Sequence, residues 1–135
     1  MTTPVPTIEH LMVPGAPQPI APFSHATGWQ DLLFVTGQMP IDPATGAWVR
    51  GAFATQTDAV MRNLTHVLTS SGSDLAHVLH ARIYLTDFTR YDEVNAAYAA
   101  WFPDGRLPAR TCIGVTALAG GADVEIDLIA VRRPT

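Results

Sequence analysis

Apolar residues in the middle of the chain recur at Val60, Leu64, Val67 and Leu68, a helical spacing. From residue 79 they alternate instead, with Ala81, Ile83 and Leu85 on one side and His80, Arg82, Tyr84 and Thr86 on the other. This change of period constrains the fold more than any other feature. A 3.6-residue repeat gives one apolar face only to a helix, and a two-residue repeat gives one only to a strand. The spacing therefore predicts a helix over residues 55–70, stopped by Gly72, and a half-buried strand over 79–86.

The alternation of period continues downstream. Thr89 with Asp92 three residues later reads as a variant capping box opening a second helix. Val94, Ala97, Tyr98 and Trp101 form its stripe, and Pro103-Asp104-Gly105 ends it. Residues 111–115 and 124–132 read as strands separated by Gly120-Gly121, with Glu125 and Asp127 opposite Val124, Ile126 and Leu128. Upstream, Leu32-Leu33-Phe34-Val35-Thr36 is a buried strand. The turn chemistry of Asp42-Pro43-Ala44-Thr45-Gly46 predicts a hairpin joining 38–41 to 47–50. Residues 1–20 hold a first strand and the start of a Pro-rich stretch, and residues 21–135 hold the rest of a single domain. The class is α+β: two helices on one face of a mixed six-stranded sheet, with the other face left bare.

Composition bears on that bare face. Charged residues are only 15% of the 135-residue chain while hydrophobic residues are 47%, with mean hydropathy +0.15. About 25% charged is usual. A sheet face that need not stay wet suits self-association. The net charge of −4, with no lysine and no arginine cluster, excludes the basic footprint of a nucleic-acid binder. No apolar run approaches the roughly 20 residues that span a bilayer. The N-terminus lacks a positive and an apolar leader region, and a lone Cys112 forms no intrachain disulfide. A reduced, cytoplasmic protein is the expectation.

Few residues carry chemistry. Arg110 lies where a Pro-containing loop enters a strand, a place suited to two-point capture of a carboxylate. Taken alone, a surface salt bridge explains it better. Glu125 sits in an otherwise apolar strand and could position or activate water, or be a solvated edge carboxylate. Cys112 shares Arg110's face; with no histidine or helix N-terminus beside it, it reads as a packed small side chain. His77 and His80 have metal-like spacing without partners to complete a set. Trp48, Trp101, Tyr84 and Tyr98 read as core or interface aromatics. No phosphate loop or nucleotide fingerprint occurs.

Several segments together resemble the RidA family (YjgF-type proteins), the reactive intermediate deaminases. They are Pro22-Phe23-Ser24-His25-Ala26, Val35-Thr36-Gly37-Gln38 with Pro40, and Asp42-Pro43-Ala44-Thr45-Gly46. They continue through Gln56, Asn63-Leu64, Val94-Asn95-Ala96-Ala97-Tyr98, Pro108-Ala109-Arg110-Thr111-Cys112 and Val124-Glu125-Ile126-Asp127. The resemblance runs from Ala21 to Arg132. It implies a chorismate-mutase-like (bacillus-type) fold, a homotrimer with sites between subunits, and hydrolysis of small 2-imino or enamine acids to 2-keto acids and ammonia. It implies no metal and no organic cofactor.

Position by position, Arg110 matches the arginine that binds the substrate carboxylate and Glu125 the acidic residue that helps place water. Cys112 matches a residue whose backbone contacts substrate, Thr36 a site hydroxyl that is usually serine, Gly37 its following glycine, and Asn95 a site-lining asparagine. Phe23 stands where the deaminases usually carry tyrosine, so a hydroxyl is missing. His25, through its imidazole, and Tyr98, through its hydroxyl, are the candidates to substitute for it. The resemblance also leaves open a non-catalytic trimeric carboxylate-binding or regulatory module, a related deaminase with another substrate, or ribonuclease activity, which the acidic balance disfavours.

Overall fold

The computed structural model describes residues 5–132. Six strands form one sheet: β1 (Glu9–Leu11), β2 (Ala26–Trp29), β3 (Leu32–Gln38), β4 (Val78–Leu85), β5 (Ala109–Gly114) and β6 (Val124–Val131). Their spatial order is β1-β2-β3-β6-β4-β5. Every pairing is antiparallel except β4 with β5, which is parallel. A parallel pair needs a crossover, and the second helix, α2 (Tyr91–Ala99), supplies it.

The first helix, α1 (Phe53–Ser70), presents Val60, Met61, Leu64, Val67 and Leu68 to the sheet, all fully buried. They meet Leu33 and Val35 of β3, Ala81, Ile83 and Leu85 of β4, and Val124, Ile126, Leu128 and Ala130 of β6. The helix ends as its glycine predicts. Gly72 takes φ +84°, and Ser73 N–H reaches back to the Leu68 carbonyl at 2.9 Å, closing the helix end.

Both helices lie on one face. The opposite face carries Leu32, Phe34, Thr36, Arg82, Tyr84, Glu125 and Asp127, and is bare in the single chain: Phe34 is 43% exposed and Leu32 36%. There Asp127 accepts from Arg82 Nε at 2.7 Å and from the Tyr84 hydroxyl at 2.9 Å.

Three local expectations are corrected. The hairpin at 38–50 reduces to a single bridge between Ile41 and Trp48. Its turn forms, with Gly46 at φ +76° and Ala44 N–H on Asp42 Oδ1, and the bridge keeps its two bonds, Asp42 N–H to the Ala47 carbonyl and Val49 N–H to the Pro40 carbonyl. But Pro40 has no N–H to complete the next rung, and the Met39 and Ile41 carbonyls, turned away from the hairpin, accept from Asn63 Nδ2 on α1. The strand Ala26–Trp29 replaces it; its Ala-Thr-Gly-Trp sequence gives no strand-like alternation. Finally, Thr89 does not cap α2. Asp87 accepts from Thr89 N–H and Oγ1 at 3.0 and 2.6 Å and organises a 3-10 turn leading into the helix, while Trp101 lies past the helix end and donates from Nε1 to Asp58.

Candidate active site

The expected site residues form two groups. The first surrounds Arg110, the second residue of β5. It pairs with Ala81 of β4 and so points to the helix-covered face. There its Nη2 donates to the Tyr91 hydroxyl at 2.9 Å. Its guanidinium carbon lies 5.6 Å from the Tyr91 ring centre and 5.4 Å from that of Tyr98, within the range of cation–π attraction.

Two of the three described arginine–carboxylate and histidine–carboxylate pairs use Arg82 and Arg132; Arg110 has no carboxylate partner among the described residues. It opens onto a cavity of about 290 Å³ lined by Asn95, Tyr98, Ala99, Leu107 and Pro108. Asn95 Oδ1 and the Tyr98 hydroxyl are buried without a hydrogen-bond partner among the described residues. Burial pushes the Tyr98 phenol up to about 12, although Arg110 pulls the other way. Cys112 is half-buried on the same face, and burial likewise raises its thiol against the pull of Arg110. A thiol raised in this way is a poor nucleophile.

The second group lies on the bare face. Glu125 of β6 packs against the backbone at Gly37, where a side chain would overlap its Oε2 and come within 2.9 Å of Cδ. Glycine there is a requirement of the carboxylate's position. Burial, then the neighbouring Asp127 charge, raises the Glu125 carboxyl above its ordinary value. Phe23 and Thr36 share a shallow cavity of about 260 Å³ with Thr27 and Phe34.

The two groups do not meet within one chain. Arg110 and Glu125 are not on neighbouring strands, as the chain order suggests, because β4 lies between β5 and β6. The registers place Arg110 level with Ala81 and Leu128, three residues from Glu125. Two strand spacings and three residue rises put their Cα atoms roughly 14 Å apart, with side chains on opposite faces. One small substrate cannot touch both.

Other residues have structural duties. His25 is buried, accepting from Val13 N–H at Nδ1 and bonding the Pro17 carbonyl through Nε2, so neither nitrogen is free to replace the hydroxyl absent at Phe23. His77 lies 2.6 Å from Asp74, and His80 beside Thr111. Tyr91 escaped the sequence reading. The stripe Tyr91, Asn95, Tyr98 has the i, i+4, i+7 spacing of one helix face, but it overlaps the apolar stripe that signals core.

Comparison with known proteins bears on the family and the fold. Residues 14–132 match the family described as Endoribonuclease L-PSP. The protein DfrA of Myxococcus xanthus is 43% identical over 118 residues, covering 86% of this chain and 89% of DfrA. A 2-iminobutanoate/2-iminopropanoate deaminase of Mus musculus is 34% identical, covering 88% and 87%. The crystal structure of YyfA from Yersinia pestis, a protein of the conserved Rid family, superposes with TM-score 0.89 at 34% identity, covering 93% and 99%. With its six-stranded mixed sheet, two helices and matching length, the chain belongs to the YjgF/RidA family.

Proposed function

We propose that the protein hydrolyses small 2-imino or enamine acids to 2-keto acids and ammonia, in sites formed between subunits of a homotrimer. The observation that carries this reading is Arg110: a partly buried guanidinium with no carboxylate partner among the described residues, floored by two tyrosine rings, at the mouth of a small cavity. Such a group is completed by the carboxylate of a ligand. A second copy supplies what one chain lacks, its Glu125, Gly37, Thr36 and Phe23 facing the first copy's Arg110.

In that site Arg110 holds the carboxylate and leaves the adjacent C=N carbon open to water. Water oxygen bonds to this carbon, its proton passes to Glu125, and the C=N electron pair moves onto nitrogen, which takes up a proton. The carbinolamine hydroxyl then gives up its proton, nitrogen gains one through Glu125, and the C–N bond breaks with its electron pair leaving on nitrogen, so that ammonia departs as C=O forms. No electrons are exchanged. An imine is already electrophilic, so positioning and electrostatics suffice without metal or cofactor. The raised carboxyl of Glu125 is suited to exchanging a proton nearer neutral pH than an ordinary glutamate.

The test generates 2-iminobutyrate with a threonine dehydratase and follows its loss. Wild type should accelerate the loss, and Arg110→Ala should lower the enzymic rate at least about 100-fold. Undiminished activity in Arg110→Ala removes that residue from the site.

Phe23 favours a second reading, a carboxylate-binding module without turnover, because it lines the shallow cavity beside Thr36 with no hydroxyl. Binding of 2-ketobutyrate by calorimetry without imine hydrolysis decides for it. If the hydrolytic reading holds, Phe23→Tyr should raise turnover about 5- to 150-fold, as expected for a polar contact of about 1–3 kcal/mol.

A further inference from the structure

We infer that Tyr91 is a positioning residue for Arg110, its hydroxyl selecting which edge of the guanidinium is offered to a carboxylate. This rests on the carboxylate-binding reading of Arg110. A guanidinium can grip a carboxylate at two points through either of two edges, Nε with Nη2 or Nη1 with Nη2. Both edges use Nη2. The Tyr91 hydroxyl accepts one Nη2 hydrogen at 2.9 Å, so one edge is occupied and the other is left whole. A single orientation of the bound acid follows, and with it a single face of the C=N carbon for water.

The surroundings hold Tyr91 in place. It is the first residue of α2, where Asp87 fixes the entering turn through its two bonds to Thr89. Its ring stacks on Phe88, with centroids 4.8 Å apart and planes 18° from parallel. Phe88 in turn lies close above Gly114 at the end of β5, where an added Cβ would sit 3.5 Å from its ring. The strand that carries Arg110 and the helix that carries Tyr91 are thus locked at both ends of the contact. On its other side the guanidinium meets Tyr98, whose ring centre is 5.4 Å away. Rotation about the Nε–Cζ bond is opposed by two rings and one hydrogen bond. Only the hydrogen bond distinguishes the edges.

Tyr91→Phe tests this because it keeps the ring, its stack on Phe88 and its cation–π contact, and removes the hydroxyl alone. Protein with nitrogen-15 arginine should show separate, slowly exchanging Nη1 and Nη2 signals for Arg110 in wild type and exchange-broadened or merged signals in Tyr91→Phe. In the imine assay kcat should fall about tenfold, the order expected for misplaced reactants, while KM stays within about threefold. Unchanged thermal stability with this kinetic split separates positioning from a merely structural role. Unchanged Nη signals, or an unchanged kcat in a variant that turns over imine, overturns the inference. A wild type that neither binds 2-ketobutyrate nor hydrolyses imine would instead sink the proposed function; changed Nη signals in Tyr91→Phe would still support the role of Tyr91.

Discussion

Glu125 shows how one position couples chemistry to stability. Its carboxyl is raised first by burial and then by the Asp127 charge on the same sheet face. The folded chain therefore binds this proton more tightly than the unfolded chain does. The stability linked to protonated Glu125 is full below the ordinary glutamate value of about 4.3 and is lost as pH rises through its higher folded value. Glu125→Gln cannot ionise, so it escapes that loss. Its urea midpoint relative to wild type should climb as pH rises from about 4 to about 7. A difference that stays flat across that range would show that Glu125 is not raised in the folded protein. Imine turnover in the same variant should fall about 10²–10⁴-fold. At this scale the sequence singled out Arg110, Cys112, Thr36, Gly37 and Glu125 as candidates, and the fold sets Gly37 against the Glu125 carboxylate. It was silent about environment, because only the fold brings Tyr91 onto Arg110 and closes both nitrogens of His25.

Elements were legible where their period was strong. The helix expected over 55–70 is α1 (Phe53–Ser70), and the strand expected over 124–132 is β6 (Val124–Val131). The strand Ala26–Trp29 was not legible, since short polar and small residues give no alternation. An added Cβ at Gly28 would come within 2.9–3.1 Å of the Arg132 guanidinium, the far end of a long side chain. Strand order was equally hidden, because pairing across the sheet is decided by contacts far apart in the chain; β4 between β5 and β6 is the consequential case. Gln56 illustrates how elements are joined. Fully buried on α1, it donates to the Gly51 carbonyl and to Asp123 Oδ2, each at 3.0 Å, and accepts from Asp123 N–H at 2.9 Å. This ties the start of α1 to the start of the strand bearing Glu125. Gln56→Ala strands these partners and should cost about 1–3 kcal/mol by urea denaturation, with imine turnover falling as the Glu125 strand end loosens. A loss below about 0.5 kcal/mol would show that water replaces the amide without cost.

At the scale of the whole molecule, scarce charge and a bare sheet face belong together. Leu32, Phe34 and Ile113 are exposed in the single chain, at 36%, 43% and 45%. In the Arg82–Asp127–Tyr84 cluster beside them both Asp127 oxygens already accept a hydrogen bond. Such a face can be covered by another copy with little cost in stranded charge. In the proposed trimer the two halves of the candidate site, one on each side of the sheet, would come together across a subunit boundary. Among the described residues no helix is long and apolar enough to cross a membrane.

Mixing two inactive variants tests this account most directly. Arg110→Ala keeps Glu125, and Glu125→Gln keeps Arg110. In a cyclic trimer assembled at random from equal amounts, a site that takes Arg110 from one chain and Glu125 from the next has both native residues about one time in four. Co-refolded protein should therefore recover roughly a quarter of wild-type imine hydrolysis. No recovery above the separate variants, in a mixture shown to have exchanged subunits, would contradict a site shared between chains.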